Sequence, residues 1–150
     1  MPECLFCKIA KGDIPSYRIW EDKEFVAFLD IFPNIRGQTL VIPKEHYESN
    51  SFHLDDEVLV KLIKAAKRVS GVLEKGLDVQ RVHMVLEGTG VNHLHAKLYP
   101  AIGIRSREFK EIIANEKRHF DAYPGYVTTL MGEKASDDEL KTVQKQIIGE

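Results

Sequence analysis

The sequence predicts an α+β domain built from about five mainly antiparallel strands, one main helix and a helical C-terminal tail. Two observations carry this prediction. Short runs of β-branched and aromatic residues recur between residues 17 and 100, separated by charged or glycine-rich turns. Between the third and fourth runs, a longer segment repeats apolar residues at three- and four-residue steps, which is the period of an amphipathic helix. A chain of 150 residues is long enough to bury one substantial core.

Three strands are predicted before the helix. The runs YRIWED and FVAFLD meet at the charged turn EDKE, and this pattern is typical of a hairpin. The run GQTLVIPK predicts a third strand, which opens at Gly37 and closes at Pro43 because proline cannot donate to a strand ladder.

The main helix is predicted over residues 55–74, with Asp55 as its N-terminal cap. Its apolar positions fall on one face of a helix with 3.6 residues per turn. They are Val58, Leu59, Leu62, Ile63, Ala66, Val69 and Leu73.

Two more strands, RVHMVLE and VNHLHAKLYP, follow the helix and are joined by the tight stretch Gly88–Thr89–Gly90. Successive strand residues point to opposite faces of a sheet. One face of the last strand is therefore the core face, with Leu94, Ala96 and Leu98. The opposite face carries Val91, His93, His95 and Lys97.

After Pro100 the composition becomes polar and helix-like. Residues 105–150 are predicted to form a C-terminal helical extension of the domain that residues 1–104 build. Ser136 and Glu139 have the spacing of a capping box, and a thin apolar stripe follows at Leu140, Val143 and Ile147. We expect this peripheral element to pack on the core or on a second subunit.

Charge and hydropathy exclude some classes of function. The net charge of −2 disfavours a nucleic-acid-binding protein held by bulk electrostatics, although it permits binding of a single nucleotide. No segment approaches the apolar length of a membrane span, so no membrane partner is expected. The N-terminal residues lack the basic segment and long apolar run of a secretory signal, and a cytoplasmic location is therefore predicted.

The histidine-bearing strand suggests chemistry on phosphate. His93, His95 and Lys97 would lie along about two pleats of one face. Neutral imidazole is a competent nucleophile near neutral pH, and cationic donors beside it stabilise charge that develops on phosphate oxygens. The alternative is the polar outer face of an antiparallel strand.

Cys4 and Cys7 form a CxxC pair, and they are the only cysteines in the chain. Without an export signal, such a pair is more often a metal or redox pair than a structural disulfide. Two cysteines supply half of a tetrahedral zinc site, so the metal interpretation requires two further ligands. A redox dithiol is the competing interpretation.

Several motifs follow one another between residues 4 and 100: CxxCKI, IPS, AFLDI, LVIPKEH and GVNHLHAKLYP. In this order they resemble the histidine triad (HIT) family of nucleotide hydrolases and transferases. The resemblance implies a HIT-like fold over residues 1–104, a purine nucleotide as substrate and a homodimer.

The family signature is His-x-His-x-His followed by two apolar residues, and its middle histidine is the nucleophile. The resemblance therefore assigns the nucleophile to His95 and makes His93 the first histidine of the motif. The groups that assist His95 in catalysis would be His93, Lys97 and the Gly88–Gly90 turn. Lys97 stands at the third position, where related branches carry glutamine and still transfer nucleotides. Two interpretations stay open for Lys97. It can hold a phosphate oxygen as a point charge, or it can mark a branch whose chemistry is slow or lost.

The resemblance also implies a nucleotide pocket. Four apolar side chains would wall the base: Phe6, Ile9, Phe28 and Ile31. Asp30 would accept hydrogen bonds from the ribose hydroxyls, since a carboxylate can take two donors. The phosphate would meet the backbone N–H groups and hydroxyl of Gly88, Thr89 and Gly90. The alternatives are core packing for the aromatic residues and a turn cap for Asp30.

Members of the family with this N-terminal cysteine pair complete a zinc site with the histidine of their IPKxH motif and the first histidine of the signature. The resemblance thus implies four ligands: Cys4, Cys7, His46 and His93. A Cys2His2 site without an open position is structural, so one structural zinc ion per chain is predicted.

The implied reaction is attack on the α-phosphate of a nucleoside phosphoramidate or a dinucleoside polyphosphate, with a nucleotidyl-histidine intermediate. A protein of another class also fits the sequence. It would be a nucleotide-binding or scaffold protein with weak or no catalysis, and Lys97 together with the short loop before it would be its mark.

Overall fold

The computed structural model describes residues 4–104, together with residues 122, 123 and 138. The chain divides into two units, Met1–Phe109 and Lys110–Glu150, and the architecture below is that of the first. The predicted helical extension over residues 105–150 falls outside the described ranges, apart from those three residues, and stays a prediction.

Five strands form one antiparallel sheet, as the sequence predicts. They are β1 (Arg18–Glu21), β2 (Phe25–Leu29), β3 (Thr39–Pro43), β4 (Val82–Val85) and β5 (Ala96–Pro100). Their order across the sheet is β1-β2-β3-β5-β4, so β5 lies between β3 and the edge strand β4. Together with the helices, this sheet confirms the α+β class.

The main helix, α2, runs from Asp56 to Leu77 and is three residues longer at its C-terminal end than predicted. Asp55 occupies the N-cap position, but its side chain makes no capping hydrogen bond. The helix packs on the sheet through one apolar face. The buried residues of that face are Leu62, Ala65, Ala66, Val69 and Leu73.

A second helix, α1 (Leu5–Lys11), was not predicted, because seven residues are too few to display a helical period. It ends at Gly12, whose φ of 89° lies in the left-handed region that glycine adopts readily. The Arg18 guanidinium donates to the carbonyl oxygens of Ile9 and Ala10 in the last turn of the helix. β1 therefore holds the end of α1 in place.

The histidine strand is shorter than predicted. β5 begins at Ala96, and the bend over residues 91–93 and the irregular residues 94 and 95 lead into it. The backbone N–H of Leu94 donates to the carbonyl of Tyr47, and that of His93 donates to Val91, so neither N–H joins the ladder. The predicted alternation survives the bend, since Leu94, Ala96 and Leu98 are all buried in the core beneath α2.

The opposite side of the sheet carries a smaller apolar cluster under α1. It consists of Phe6, Ile9, Ala10, Val26, Phe28, Leu40 and Ile42. The residues around the histidines are thus buried from both sides, by α2 on one face and by α1 on the other. Among the described residues, no helix has the length and apolar character needed to cross a membrane.

Candidate active site and metal centre

His95 lies directly before β5 and is only 4% exposed. Its Nδ1 atom is 2.6 Å from the carbonyl oxygen of His93. Because a carbonyl oxygen can only accept a hydrogen bond, Nδ1 carries the proton and the free lone pair is on Nε2. Burial lowers the pKa of His95, against the opposing effect of that hydrogen bond. The geometry therefore favours a neutral imidazole whose nucleophilic atom is Nε2.

A cavity of about 330 Å³ opens beside His95 and Lys97. Most of the residues that the sequence predicts for nucleotide binding line this cavity: Phe6, Ile9, Phe28, Asp30, Ile31 and Gly90. Such a cavity, mainly apolar and with a few polar groups, is typical of small-molecule sites. His93 does not line it, although it was predicted as a catalytic residue, and lies in the cluster of cysteines and histidines described below.

Phe6 connects the cavity to the histidines. Its ring meets the His95 ring edge-on at a centroid distance of 5.3 Å, and it meets Phe28 and His93 at 5.9 Å. Phe6 is 6% exposed, so it is both a core residue and a cavity wall. Its two predicted uses, base wall and core packing, are compatible in this position.

Asp30 follows β2 at the rim of the cavity. Its Oδ1 atom accepts the backbone N–H of Phe32, and its Oδ2 atom accepts the side-chain amide of Gln38 at 2.7 Å. The carboxylate therefore organises the turn after β2. Each of its oxygens keeps a further lone pair with which it can accept a hydroxyl donor.

The three residues of the turn predicted to hold the phosphate, Gly88, Thr89 and Gly90, differ in their surroundings. Of its three residues, only Gly90 lines the cavity. Gly88 is buried against residue 49, with a φ of +65°, and a Cβ atom there would lie 2.6 Å from the Ser49 carbonyl oxygen. The Thr89 hydroxyl donates to the Glu87 carboxylate at 2.7 Å. Gly88 thus allows the turn to pack closely against Ser49, and Thr89 holds the Glu87 carboxylate in place.

Lys97 is paired inside the site. Its Nζ atom lies 2.6 Å from Oε1 of Glu87, and both side chains line the cavity. Burial acts to lower the pKa of Lys97, but the hydrogen bond and charge of Glu87 outweigh it and raise that pKa above its ordinary value. The hydrogen bond from Lys97 in turn lowers the pKa of the Glu87 carboxyl. Both groups are therefore charged at neutral pH.

Several residues that line the cavity were not predicted from the sequence. Leu5 lies in α1, and Ser16 lies in the segment that follows α1. Phe32 lies at the rim of the cavity and is 85% exposed. The Ser16 hydroxyl is buried without a hydrogen-bond partner among the described residues. Glu87 was missed as a partner of Lys97. Lys97 stands opposite Val85 in the register of β4 with β5, and the chain beyond β4 brings Glu87 within 2.6 Å of it.

Four side chains predicted as metal ligands come together at the N-terminal end of α1. The ligand atoms of Cys4, Cys7, His46 and His93 all lie within 4.8 Å of one another. The Nδ1 atom of His93 is 3.5 Å from both sulfur atoms, and that of His46 is 3.4 Å from Cys7. In a tetrahedral site, sulfur and nitrogen ligands of one zinc ion are separated by roughly 3.6 Å.

The orientation of His93 also suits a metal ligand. Its Nε2 atom lies 2.9 Å from the carbonyl oxygen of Pro43, so that nitrogen carries the proton. The lone pair of Nδ1 is then free on the side of the two sulfur atoms. A ligand histidine whose other nitrogen donates to a carbonyl is the usual arrangement around protein-bound metals. The cluster can therefore hold a metal ion.

Three comparisons place the chain among known proteins. A family model described as the HIT domain matches residues 11–100. An uncharacterised HIT-like protein of Methanocaldococcus jannaschii is 42% identical over 101 residues, which cover 65% of this chain and 78% of the relative. An adenosine 5'-monophosphoramidase of Schizosaccharomyces pombe is 37% identical over 103 residues, or 65% of this chain and 73% of the relative.

The chain is also similar to a solved structure. A zinc-bound histidine triad family protein of Mycobacterium smegmatis has a TM-score of 0.60 and 30% sequence identity, covering 72% of this chain and 81% of its own. The family model alone spans more than half of the 150 residues. By its fold, its motifs and these matches, the chain belongs to the HIT family.

Proposed function

We propose that this protein is a HIT-type nucleotide hydrolase or transferase, which cleaves at the α-phosphate of nucleoside phosphoramidates or dinucleoside polyphosphates. The observation that carries the proposal is the hydrogen bond from His95 Nδ1 to the His93 carbonyl. It leaves the lone pair of His95 on Nε2, in a residue that lines the cavity.

In the proposed reaction, His95 Nε2 attacks the α-phosphorus and forms a phosphorus–nitrogen bond. The bond to the leaving group breaks, and the leaving group departs with its electron pair. A water molecule then attacks the same phosphorus and releases a nucleoside monophosphate, while the lone pair returns to Nε2 and the proton of the water passes to solvent. Lys97 stabilises the negative charge that develops on the phosphate oxygens.

The other cavity residues bind the nucleotide in this proposal. Phe6, Ile9, Phe28 and Ile31 enclose a purine base, and the Asp30 carboxylate accepts the ribose hydroxyls. Gly90 brings backbone close to the phosphate, which a side chain at that position would obstruct. The phosphoramidase activity named for the Schizosaccharomyces pombe relative supports this substrate class.

The Cys4, Cys7, His46 and His93 cluster is proposed to hold one structural zinc ion per chain. The chemistry of the ligand set and the zinc-bound Mycobacterium smegmatis relative support this metal. Four protein ligands leave no open position, so zinc would supply structural cross-linking only. His93 would act at the reaction through its backbone carbonyl, which fixes the tautomer of His95.

A homodimer is proposed from the family resemblance. β4 is an edge strand, and its His83 and Met84 side chains are exposed. An edge strand with unpaired backbone groups is available for pairing with a second chain. Light scattering on the purified protein tests the stoichiometry, and a mass of one chain at micromolar concentration would contradict it.

A covalent intermediate is the direct test of the proposed reaction. The protein is incubated with an adenosine phosphoramidate, quenched in base and digested. Mass spectrometry should then find an adenylyl group on the peptide that contains His95. His53→Asn is the matched control, because His53 is exposed and outside the cavity, and it should still form the adduct. Nucleotide binding without adduct or turnover would favour the scaffold protein instead.

A further inference from the structure

The charges around the cavity are unusual for a site that acts on phosphate. Among the described residues that line it, those with a formal charge are one lysine, Lys97, and two acidic residues, Asp30 and Glu87. A polyphosphate carries several negative charges, and its binding sites normally offer an excess of cationic groups. The described residues that line this cavity offer no such excess.

Glu87 engages the ammonium of Lys97 and is itself held firmly. One carboxylate oxygen accepts from Lys97 at 2.6 Å, and the other accepts from the Thr89 hydroxyl at 2.7 Å. The Glu87 side chain is 12% exposed and that of Lys97 is 25% exposed, so water screens this pair less than it screens a surface pair. The pair acts on a ligand as a dipole with no net charge.

We propose that Glu87 is a specificity-determining residue, which neutralises Lys97 and so selects against leaving groups that carry phosphate charge. This inference rests on the proposed function and narrows its substrate class. Lys97 keeps N–H donors for one phosphate group, because Glu87 occupies only one of its three. A leaving group with several anionic phosphates would gain no net attraction from this neutral pair, whereas an amine leaving group does not depend on such attraction.

A series of four proteins separates charge from structure. Glu87→Gln leaves the pair with a net positive charge, Lys97→Met leaves it negative, and both the wild type and the double variant are neutral. Glu24→Gln is the matched control: Glu24 accepts from Lys61 at 2.8 Å, and neither residue lines this cavity. It removes the same charge from a more exposed lysine–glutamate pair outside the cavity.

The measurement is kcat/KM for an adenosine phosphoramidate and for diadenosine tetraphosphate, expressed as the ratio of the second to the first. Glu87→Gln should raise this ratio by about tenfold or more, since one unit charge acts on several phosphate charges at short range. Lys97→Met should lower it below that of the double variant. The double variant should return to within about threefold of the wild type, and Glu24→Gln should stay within about twofold.

An equal fall of both activities in Glu87→Gln, with an unchanged ratio, would overturn the proposal and leave Glu87 a structural residue. Should Glu87→Gln not fold, the comparison of Lys97→Met with the double variant carries the same test. Equal ratios in those two proteins would also overturn it.

Failure of the proposed function looks different. The wild type and Glu24→Gln would then turn over neither substrate. In that event the affinities for ATP and AMP, measured by calorimetry in magnesium-free buffer, decide the inference about charge. Glu87→Gln should raise the affinity for ATP relative to AMP. An unchanged relative affinity contradicts the role of Glu87, and no binding of either nucleotide contradicts both proposals.

Discussion

The carbonyl oxygen of His93 accepts the Nδ1 proton of His95, while the Nδ1 atom of the same His93 belongs to the cluster of cysteines and histidines. One residue thus joins the candidate nucleophile to the candidate metal centre. Its side chain faces the two sulfur atoms, and its backbone fixes the tautomer of the next histidine. A mutation can therefore change one of the two sites without removing a side chain from the other, although His93 fixes their relative positions.

Replacing the candidate nucleophile should abolish turnover while leaving nucleotide binding largely intact. We expect His95→Asn to lower kcat on an adenosine phosphoramidate by more than about a thousandfold, or ~4 kcal/mol in the barrier. Binding of AMP, followed by calorimetry, should change little, because the cavity walls remain. His53→Asn serves as the control. Residual activity within about tenfold of wild type would rule out His95 as the nucleophile.

Freshly purified protein should carry close to one zinc ion per chain. Cys4→Ser should lose the metal together with several degrees of melting temperature, because an ion held by the cluster would cross-link α1 to the segments that carry His46 and His93. Metal analysis by mass spectrometry and thermal unfolding measure the two effects. His53→Asn should keep its metal.

The zinc prediction fails if protein prepared under reducing, chelator-free conditions contains no zinc. That result would leave the proposed reaction standing, since the His95 tautomer depends on a backbone carbonyl and not on the metal itself. A loss of turnover in Cys4→Ser without any loss of zinc would instead indicate that Cys4 has a separate role.

Gly88→Ala should destabilise the protein, whereas Gly90→Ala should not. A Cβ atom at Gly88 would lie 2.6 Å from a backbone oxygen, and its φ of +65° strains any other residue. A Cβ atom at Gly90 would meet nothing within 4 Å. We expect a loss of about 1–3 kcal/mol for the first and less than ~0.5 kcal/mol for the second. Urea unfolding measures both, and equal losses would show that the close approach to Ser49 is not the cause.

The sheet was predictable from the sequence because its alternation and turn residues are local signals. All five strands and α2 follow from those patterns, with errors of a few residues at their ends. Helix α1 was not predictable, because seven residues show no period and because Arg18, nine residues beyond Ile9, donates to the carbonyl groups of its last turn. The bend before β5 was missed for a similar reason, since Tyr47 accepts the N–H of Leu94 from a distant segment.

Those residues of the site that lie in the family motifs could be predicted from the sequence. His46 and His93 lie 39 and 86 residues from Cys7, so no spacing rule connects them, and the resemblance alone brought them together. Neither local sequence patterns nor the family motifs predict the pairing of Lys97 with Glu87. It depends on the register of β4 with β5 and on the path of the chain just after β4, and neither is visible in residue order.

The Glu87–Lys97 pair should also leave a mark on stability against pH. Interaction with Lys97 lowers the pKa of Glu87 from 4.5, so the ionised carboxylate stabilises the folded state. That stabilisation is fully present above the unfolded-state pKa and is lost as the pH falls through the lowered, folded-state value. Glu87→Gln lacks it at every pH. The difference in free energy of unfolding between wild type and Glu87→Gln should therefore be larger at about pH 7 than at about pH 4, and should shrink further below that.

Urea unfolding of the two proteins at both pH values makes this measurement, and an equal loss of any bound metal from both proteins would cancel in the difference. Glu24→Gln is again the control. Its partner Lys61 is 43% exposed and Glu24 is 59% exposed, so that pair should contribute little at either pH. A wild-type advantage over Glu87→Gln that stays constant between the two pH values would show that shape, and not charge, is what Glu87 contributes. In that case the carboxylate would not be the group that neutralises Lys97, and the argument for its role in substrate choice would lose its electrostatic basis.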